Sequence, residues 1–408
     1  MKKLILSAVL TAGLAGGAYA AVAEDSKVFT PFFDMTLSEA AFLPSEGNIF
    51  SGGNINTQVG LLANVSQKDQ LFGLYNFGYV GQSFTPQDSK QFTDRSMSHG
   101  FNLEYRRLLG EHFRLRPGVS LTKEYRRSGA NEAWETGLYN MDSAGGQLAA
   151  DYTFDRERNG YVTLQYLYRK VEFPNYTDLL SEFQSAGSQG NIDGGLNDQT
   201  MSQVSLRPAW NKFFGGVTYT LQNYKNQKVV ENDGTTPAYG GTKQKDTDTM
   251  LDFGFHQRLW IFEMYPMVSY TMHDSNQNFV KYKFLGAVDT TNGDVEFAPD
   301  YYNYTELNLS VPVDLNITSK WAIGGSLNLT RRAYDKRMAR DANNDFTSEK
   351  QVNNMTTLTG SIRKRINDVA MVRLFGSVIV ASSNTEFEKY MPYNYTGNSF
   401  GIAYSLSY

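Results

Sequence analysis

"NSFGIAYSLSY", residues 398–408, sorts its side chains by parity. Phe400, Ile402, Tyr404, Leu406 and Tyr408 are large and apolar or aromatic, whereas Ser399, Gly401, Ala403, Ser405 and Ser407 are small or polar. Successive side chains of a strand point to opposite sides, so a period of two marks an extended segment between two different surroundings.

The same period recurs along most of the chain. "PFFDMTLSE" (31–39) alternates Phe33, Met35 and Leu37 with Asp34, Thr36 and Ser38. "FRLRPGVSLT" (113–122) sets Phe113, Leu115, Val119 and Leu121 against Arg114, Arg116, Gly118 and Ser120. "VSLRPAW" (204–210) and "MLDFGFHQR" (250–258) continue the series with Val204, Leu206 and Trp210, then Leu251, Phe253 and Phe255. The links between these runs alternate in length. Short ones carry turn residues: 66–69, 109–112, 155–160, 211–212, 318–320 and 367–368. Long ones are polar and rich in Gly, Asn and Asp: 85–94, 126–140, 174–199, 226–246, 274–301, 335–350 and 383–394. Counted back from the last run, the pattern gives sixteen strands, with fourteen and eighteen as alternatives because boundaries read from sequence err by several residues. Shared over sixteen crossings, the chain has about 24 residues for each strand and link, enough for a span of about 10 residues, some projection and a connection.

Composition narrows the class. The chain has no cysteine, which excludes disulfides, thiolate zinc sites and thiol catalysis. Tyr and Phe number 26 each, His only 4, and the net charge of −4 argues against a nucleic-acid partner. Mean hydropathy is −0.43. At the start, Lys2 and Lys3 precede an apolar run to about Ala15 and the small-residue site Ala18-Tyr19-Ala20. That run is too short to span a bilayer and reads as a signal peptide, 1–20, cleaved on export. Residues 21–30 then form a short periplasmic N-terminal segment and 31–408 a single barrel, with no second domain.

The terminal alternation resembles the closing strand of bacterial outer-membrane β-barrel proteins, which commonly end on Phe where this chain has Tyr408. The resemblance extends to the whole architecture, porin-like in class, though it matches no single family. It implies an all-β, transmembrane, antiparallel up-and-down barrel in the cell outer membrane, with short periplasmic turns and long extracellular loops. It also implies that Phe400, Ile402, Tyr404, Leu406 and Tyr408 are an assembly signal for the barrel-assembly machinery. Homotrimers are common among porin-like barrels; the sequence leaves the oligomeric state open. A sharp structural requirement follows: Phe400, Ile402, Leu206 and Leu251 must face lipid rather than share a dry interior.

If the apolar set faces lipid, the other set faces a lumen wide enough for water at sixteen strands. Its candidate basic residues are Arg106, Arg114, Arg116, Arg207, Arg363 and Arg373; its candidate acidic residues are Asp248, Asp252, Glu263 and Glu306. The first three arginines and the four acids lie about seven strands apart, which would oppose them across the lumen and create a transverse field. Neighbour pairing, such as Glu104 with Arg114, is the plainer alternative. Three other motifs are weaker. "MHDSNQ" (272–277) resembles the His–Ser segment of outer-membrane phospholipase A, with Gln277 at the family's Gly. His256 near Asp252 is a base–orienter arrangement. Asp341, Asn343 and Asp345 have calcium-loop spacing but lack the Gly and the distal Glu. The sequence therefore points to a channel for small hydrophilic solutes, without cofactor, metal or catalysis. A surface-interaction or export-assisting barrel is the alternative, and a lipid-active enzyme ranks third.

Overall fold

The computed structural model describes residues 28–44, 50–82, 95–127, 133–177, 194–232, 238–282, 295–387 and 393–408. The signal peptide expected over 1–20 lies outside them. The chain forms strands β1 (Phe29–Pro44), β2 (Phe50–Asn64), β3 (Asp69–Gln82), β4 (Arg95–Leu109), β5 (Phe113–Arg127), β6 (Met141–Asp155), β7 (Gly160–Glu172), β8 (Gln199–Trp210), β9 (Phe213–Glu231) and β10 (Ala238–Phe255). Next come the short β11 (Gln257–Leu259) and β12 (Phe262–Met264), then β13 (Met267–Ser275), with β14 (Phe279–Tyr282) and β15 (Val295–Ala298) outside the main sheet. β16 (Tyr304–Asn316), β17 (Trp321–Arg340), β18 (Phe346–Arg365), β19 (Ala370–Ser383) and β20 (Tyr395–Ser407) complete the chain. β11 continues β10, and β12 runs into β13, so the wall is a closed antiparallel barrel of 16 strands.

Closure is direct. β1 pairs with β2 on one side and with β20 on the other, from Asp34 opposite Ser407 to Pro44 opposite Gly397. The ladder ends on two bonds of 2.8 Å, Phe33 N–H to the Tyr408 carbonyl and Tyr408 N–H to the Phe33 carbonyl. Among the described residues no edge is left in the main sheet, as a bilayer requires, since lipid offers backbone groups no partner. One local break lies where β10 meets β13. Pro266 has no N–H to give its neighbour; it only accepts, from Phe255 N–H at 3.1 Å, while His256 N–H turns to the Lys212 carbonyl at 2.8 Å.

The sidedness read from the alternation is present. Phe400, Ile402, Leu206 and Leu251 are 58, 49, 46 and 44 % exposed on the outer face. Their polar neighbours Ser205, Thr218 and Thr220 are buried on the inner one. Three of the four tryptophans, Trp210, Trp260 and Trp321, stand exposed at the end carrying the short turns, together with Tyr408. This is the aromatic belt expected at a water–lipid boundary, where an amphipathic ring sits favourably. The turns at that end are made by their own side chains. Asn367 Oδ1 accepts from the N–H of Val369 and Ala370, Thr318 Oγ1 from Lys320 and Trp321, and Asp155 Oδ1 from Arg158. Asn159 and Asn211 adopt φ of 51° and 55°, a region Asn tolerates.

At the other end the strands outrun the reading from sequence. The links drawn at 226–246 and 335–350 are largely hairpin: β9 reaches Glu231 and β10 begins at Ala238, and β17 and β18 leave only 341–345 between them. The link drawn at 274–301 contains β14 and β15, and β1 begins at Phe29 rather than 31. Above the membrane neither face of a strand meets lipid, so the hydrophobic alternation that betrays a strand disappears.

The two faces predict unequal responses to charge. Leu358 faces lipid and Thr359 the lumen. Leu358→Arg is expected to destabilise the barrel by about 2–4 kcal/mol if the residue lies near the bilayer midplane, and Thr359→Arg far less. Urea unfolding in lipid vesicles measures both; equal losses would contradict the assignment of faces.

Candidate functional site: the lumen wall

Two polar networks line the inner face. The first spans β4 to β7 near the periplasmic turns. Register places Arg114 opposite Asp151, and Asp151 opposite Thr163. Asp151, 2 % exposed, accepts from Arg114 Nε (3.0 Å), Arg116 Nε (2.8 Å), Arg116 Nη2 (3.0 Å) and Thr163 Oγ1 (2.7 Å). Glu104 takes Arg106 Nε at 2.6 Å, Arg116 Nη1 at 3.3 Å and Gln147 Nε2 at 3.1 Å. Gln165 Nε2 then donates to Gln147 Oε1. Three guanidinium groups and two carboxylates thus form one continuous ladder, the geometry that makes buried charge tolerable.

The second network spans β10 to β17. His273 Nδ1 meets Asp248 Oδ1 at 2.7 Å, and the imidazole stacks on Tyr304 with centroids 4.7 Å apart. Arg332 lies over the Tyr304 ring, 4.2 Å from its centroid, and donates to Glu306 Oε2 at 2.7 Å. Asn308 and Thr330 extend the network. Near the periplasmic end, Glu263 accepts from Tyr265 Oη at 2.6 Å and meets His256 Nε2 at 2.8 Å.

Two ion pairs cross a whole strand. Arg207 on β8 reaches Asp252 on β10 at 3.2 Å, past Gly216 on β9; Arg363 on β18 reaches Asp314 on β16 at 2.5 Å, past Gly324 on β17. A Cβ at Gly216 would lie 3.0 Å from Arg207 Cγ, and one at Gly324 would lie 2.9 Å from Asp314 Oδ1. Glycine is what lets these side chains lie flat against the wall.

The candidate residues are therefore all on the inner face, but the opposed charge groups do not stand free. Asp248, Asp252, Glu263 and Glu306 each have an imidazole or guanidinium beside them, and Arg106, Arg114 and Arg116 share Glu104 and Asp151. Each of these charges is paired locally, since cross-strand neighbours are nearer than the far wall. Arg373 lies opposite Arg363 in register and packs over Phe375 at 5.2 Å. Asp151, Asp314, Arg332, Tyr304 and Tyr334 were not singled out from sequence. Asp151 was legible: Leu148, Ala150 and Tyr152 face out, so parity turns it inward. Arg332 and Tyr334 lie beyond the lipid-facing run of β17, where parity gives no signal.

The remaining motifs resolve as follows. His273 is held by Asp248, while Ser275 Oγ accepts from Gln277 N–H at 3.1 Å. His256 is partnered by Glu263 rather than Asp252. Asp341 Oδ1 accepts from the N–H of Asn343 and Asp345, closing the β17–β18 turn around Asn344 at φ 73°.

At the extracellular end the projecting hairpins pack together. Tyr301 stacks on Phe279 at 4.3 Å, Arg337 lies between Tyr301 and Tyr334 at 4.7 and 4.8 Å, and Arg340 lies over Phe346 at 3.8 Å. Val229, Val230, Tyr301 and Ala339 are buried there, and burial pushes the Tyr301 phenol up. Gln277 ties the hairpin of β9 and β10 to this core through Val230 N–H (2.9 Å) and the Lys228 carbonyl (2.8 Å).

A closed 16-strand wall, apolar outside, polar within and belted by aromatic rings, defines an integral outer-membrane β-barrel. No family model and no curated protein sequence matches the chain. Among solved structures it is similar to the in-vitro folded, trimeric form of OmpT, an outer membrane protein of Vibrio cholerae: 10 % identity, 94 % of this chain, 100 % of that one, TM-score 0.48. It is also similar to CdiB from Acinetobacter baumannii (10 % identity, 92 % of this chain, 60 % of that one, TM-score 0.47). A third similar structure is the Pseudomonas putida toluene transporter TodX (7 % identity, 94 % and 89 %, TM-score 0.38).

Proposed function

We propose that the chain is a passive outer-membrane channel for small hydrophilic solutes. One observation carries this: charged and polar networks line much of the inner wall, from the Glu104–Asp151 ladder and Arg207–Asp252 to the Asp248–His273–Tyr304–Arg332 network. Such a wall holds water favourably, whereas a dry interior would need apolar filling. The partners are lipid on the outside, solute within and, during biogenesis, the barrel-assembly machinery; no catalytic role is proposed.

Reconstitution of the folded protein into planar bilayers is expected to give step-like ion currents. Folded protein is recognised by heat-modifiable gel mobility. Absence of current from folded protein would overturn the channel assignment. It would favour the second reading, a surface-interaction barrel, which rests on the packed extracellular core around Tyr301 and Phe279.

A further inference from the structure

Arg169, on β7, is a lumen-side guanidinium that the networks leave out. It shares its parity with Thr163 and Gln165, which face inward, while Leu164, Tyr166 and Tyr168 face lipid. Among the described residues it has no hydrogen bond, ion pair or ring contact, and its Nε is buried without a partner. Its surroundings deepen the anomaly. Along β7 its inward neighbours are Leu167 and Val171, both buried, and across the ladder it lies between Gly145 on β6 and Met201 on β8. A Cβ at Gly145 would come within 2.5 Å of Arg169 Cγ, so the side chain lies against the glycine. One rung above, opposite Val171, Gln199 Oε1 is also buried and unpartnered.

We propose that Arg169 is an anion-binding station of the channel, taking the carboxylate or phosphate oxygens of a passing solute. This rests on the channel assignment above. A guanidinium confined beside apolar side chains loses water without gaining a counter-charge. Its planar fork fits two oxygens of one oxyanion and is weakly hydrated, so an anion restores what the wall withholds. Arg106, Arg114, Arg116, Arg207, Arg332 and Arg363 differ in that each already has a carboxylate within ion-pair distance.

The test uses the full-length folded protein, inorganic phosphate as probe, and two readouts. In planar bilayers under a KCl gradient, Arg169→Gln is expected to lower the chloride-to-potassium permeability ratio by about twofold, the scale of one unit charge acting across water at short range. Independently of conduction, the 31P line of inorganic phosphate is expected to broaden with wild-type protein in detergent. It should sharpen to the free line with Arg169→Gln, and broaden to an intermediate degree with Arg169→Lys, which keeps the charge and loses the fork. Lys320→Gln, in a periplasmic turn, controls for charge alone and should leave the broadening in place. Heat-modifiable mobility confirms folding of each variant. Phosphate broadening that is absent in wild type, or unchanged by Arg169→Gln, overturns the proposal. If the wild-type protein carries no current but Arg169→Gln abolishes broadening, the anion station stands and the channel assignment falls.

Discussion

Deleting residues 395–408 is expected to abolish the folded barrel, with the heat-modifiable band lost entirely rather than weakened. β20 is the strand that closes the wall: it pairs with β1 from Asp34–Ser407 to Pro44–Gly397, and with β19 from Ala370–Leu406 to Ala381–Tyr395. Removing it exposes two edges at once, on β1 and on β19. In water such edges would be solvated; in hydrocarbon each unsatisfied N–H or C=O costs several kcal/mol. A handful of such groups exceeds the roughly 5–15 kcal/mol by which folded domains are stable. Tyr408→Ala should behave differently. The residue is highly exposed at the periplasmic rim, and its backbone bonds to Phe33 survive the substitution. Refolding into detergent in vitro should therefore be retained, while the yield in cells falls if the terminal ring is read by the assembly machinery. A truncated monomer that still shows heat-modifiable mobility would contradict the closure described here.

The contrast between β20 and the projecting hairpins shows where sequence is informative. In β20 every second residue is pressed against lipid, so Phe400, Ile402, Tyr404 and Leu406 spell out the strand and its register. In β17 the same logic holds from Trp321 to Leu329 and then fails. Beyond Leu329 the residues are Arg331, Arg332, Tyr334, Lys336, Arg337 and Arg340, and neither face is sorted by lipid. There the register itself shifts. Ala333 faces Val352 but Met338 faces Lys350, so five steps on one strand oppose two on the other. An excess of three residues reverses the parity, which is why Arg337 can join Tyr334 on one side. No hydrophobic pattern announces such a shift. The charges of the lumen were legible as inward-facing, since parity alone decides that. Their partners were not, because pairing depends on register and on glycines such as Gly216 and Gly324 that open a path across a strand.

Asp151→Ala is expected to destabilise the barrel by about 3 kcal/mol, the low end of the range for breaking a buried ion pair. The carboxylate is almost fully enclosed and satisfies Arg114 and Arg116 together, while Thr163 spends its hydroxyl on it. Without it, Glu104 is the carboxylate left to Arg116 in this ladder, and it already holds Arg106. The low end applies because both arginines retain some access to lumen water, which screens what remains. Urea unfolding in lipid vesicles reads the loss. The same substitution removes a negative charge from the wall and leaves guanidinium groups to the pore. The chloride-to-potassium permeability ratio should therefore rise by about twofold, opposite in sign to Arg169→Gln. Adding Arg114→Ala to Asp151→Ala should restore part of both, since the orphaned cation goes with its partner. If the urea midpoint falls while the permeability ratio is unmoved, the ladder serves the wall alone. If the ratio rises while stability is unchanged, lumen water already carries these charges and Asp151 acts on the solute stream. The expected result is that both move, because one carboxylate holds two cations that the pore would otherwise see.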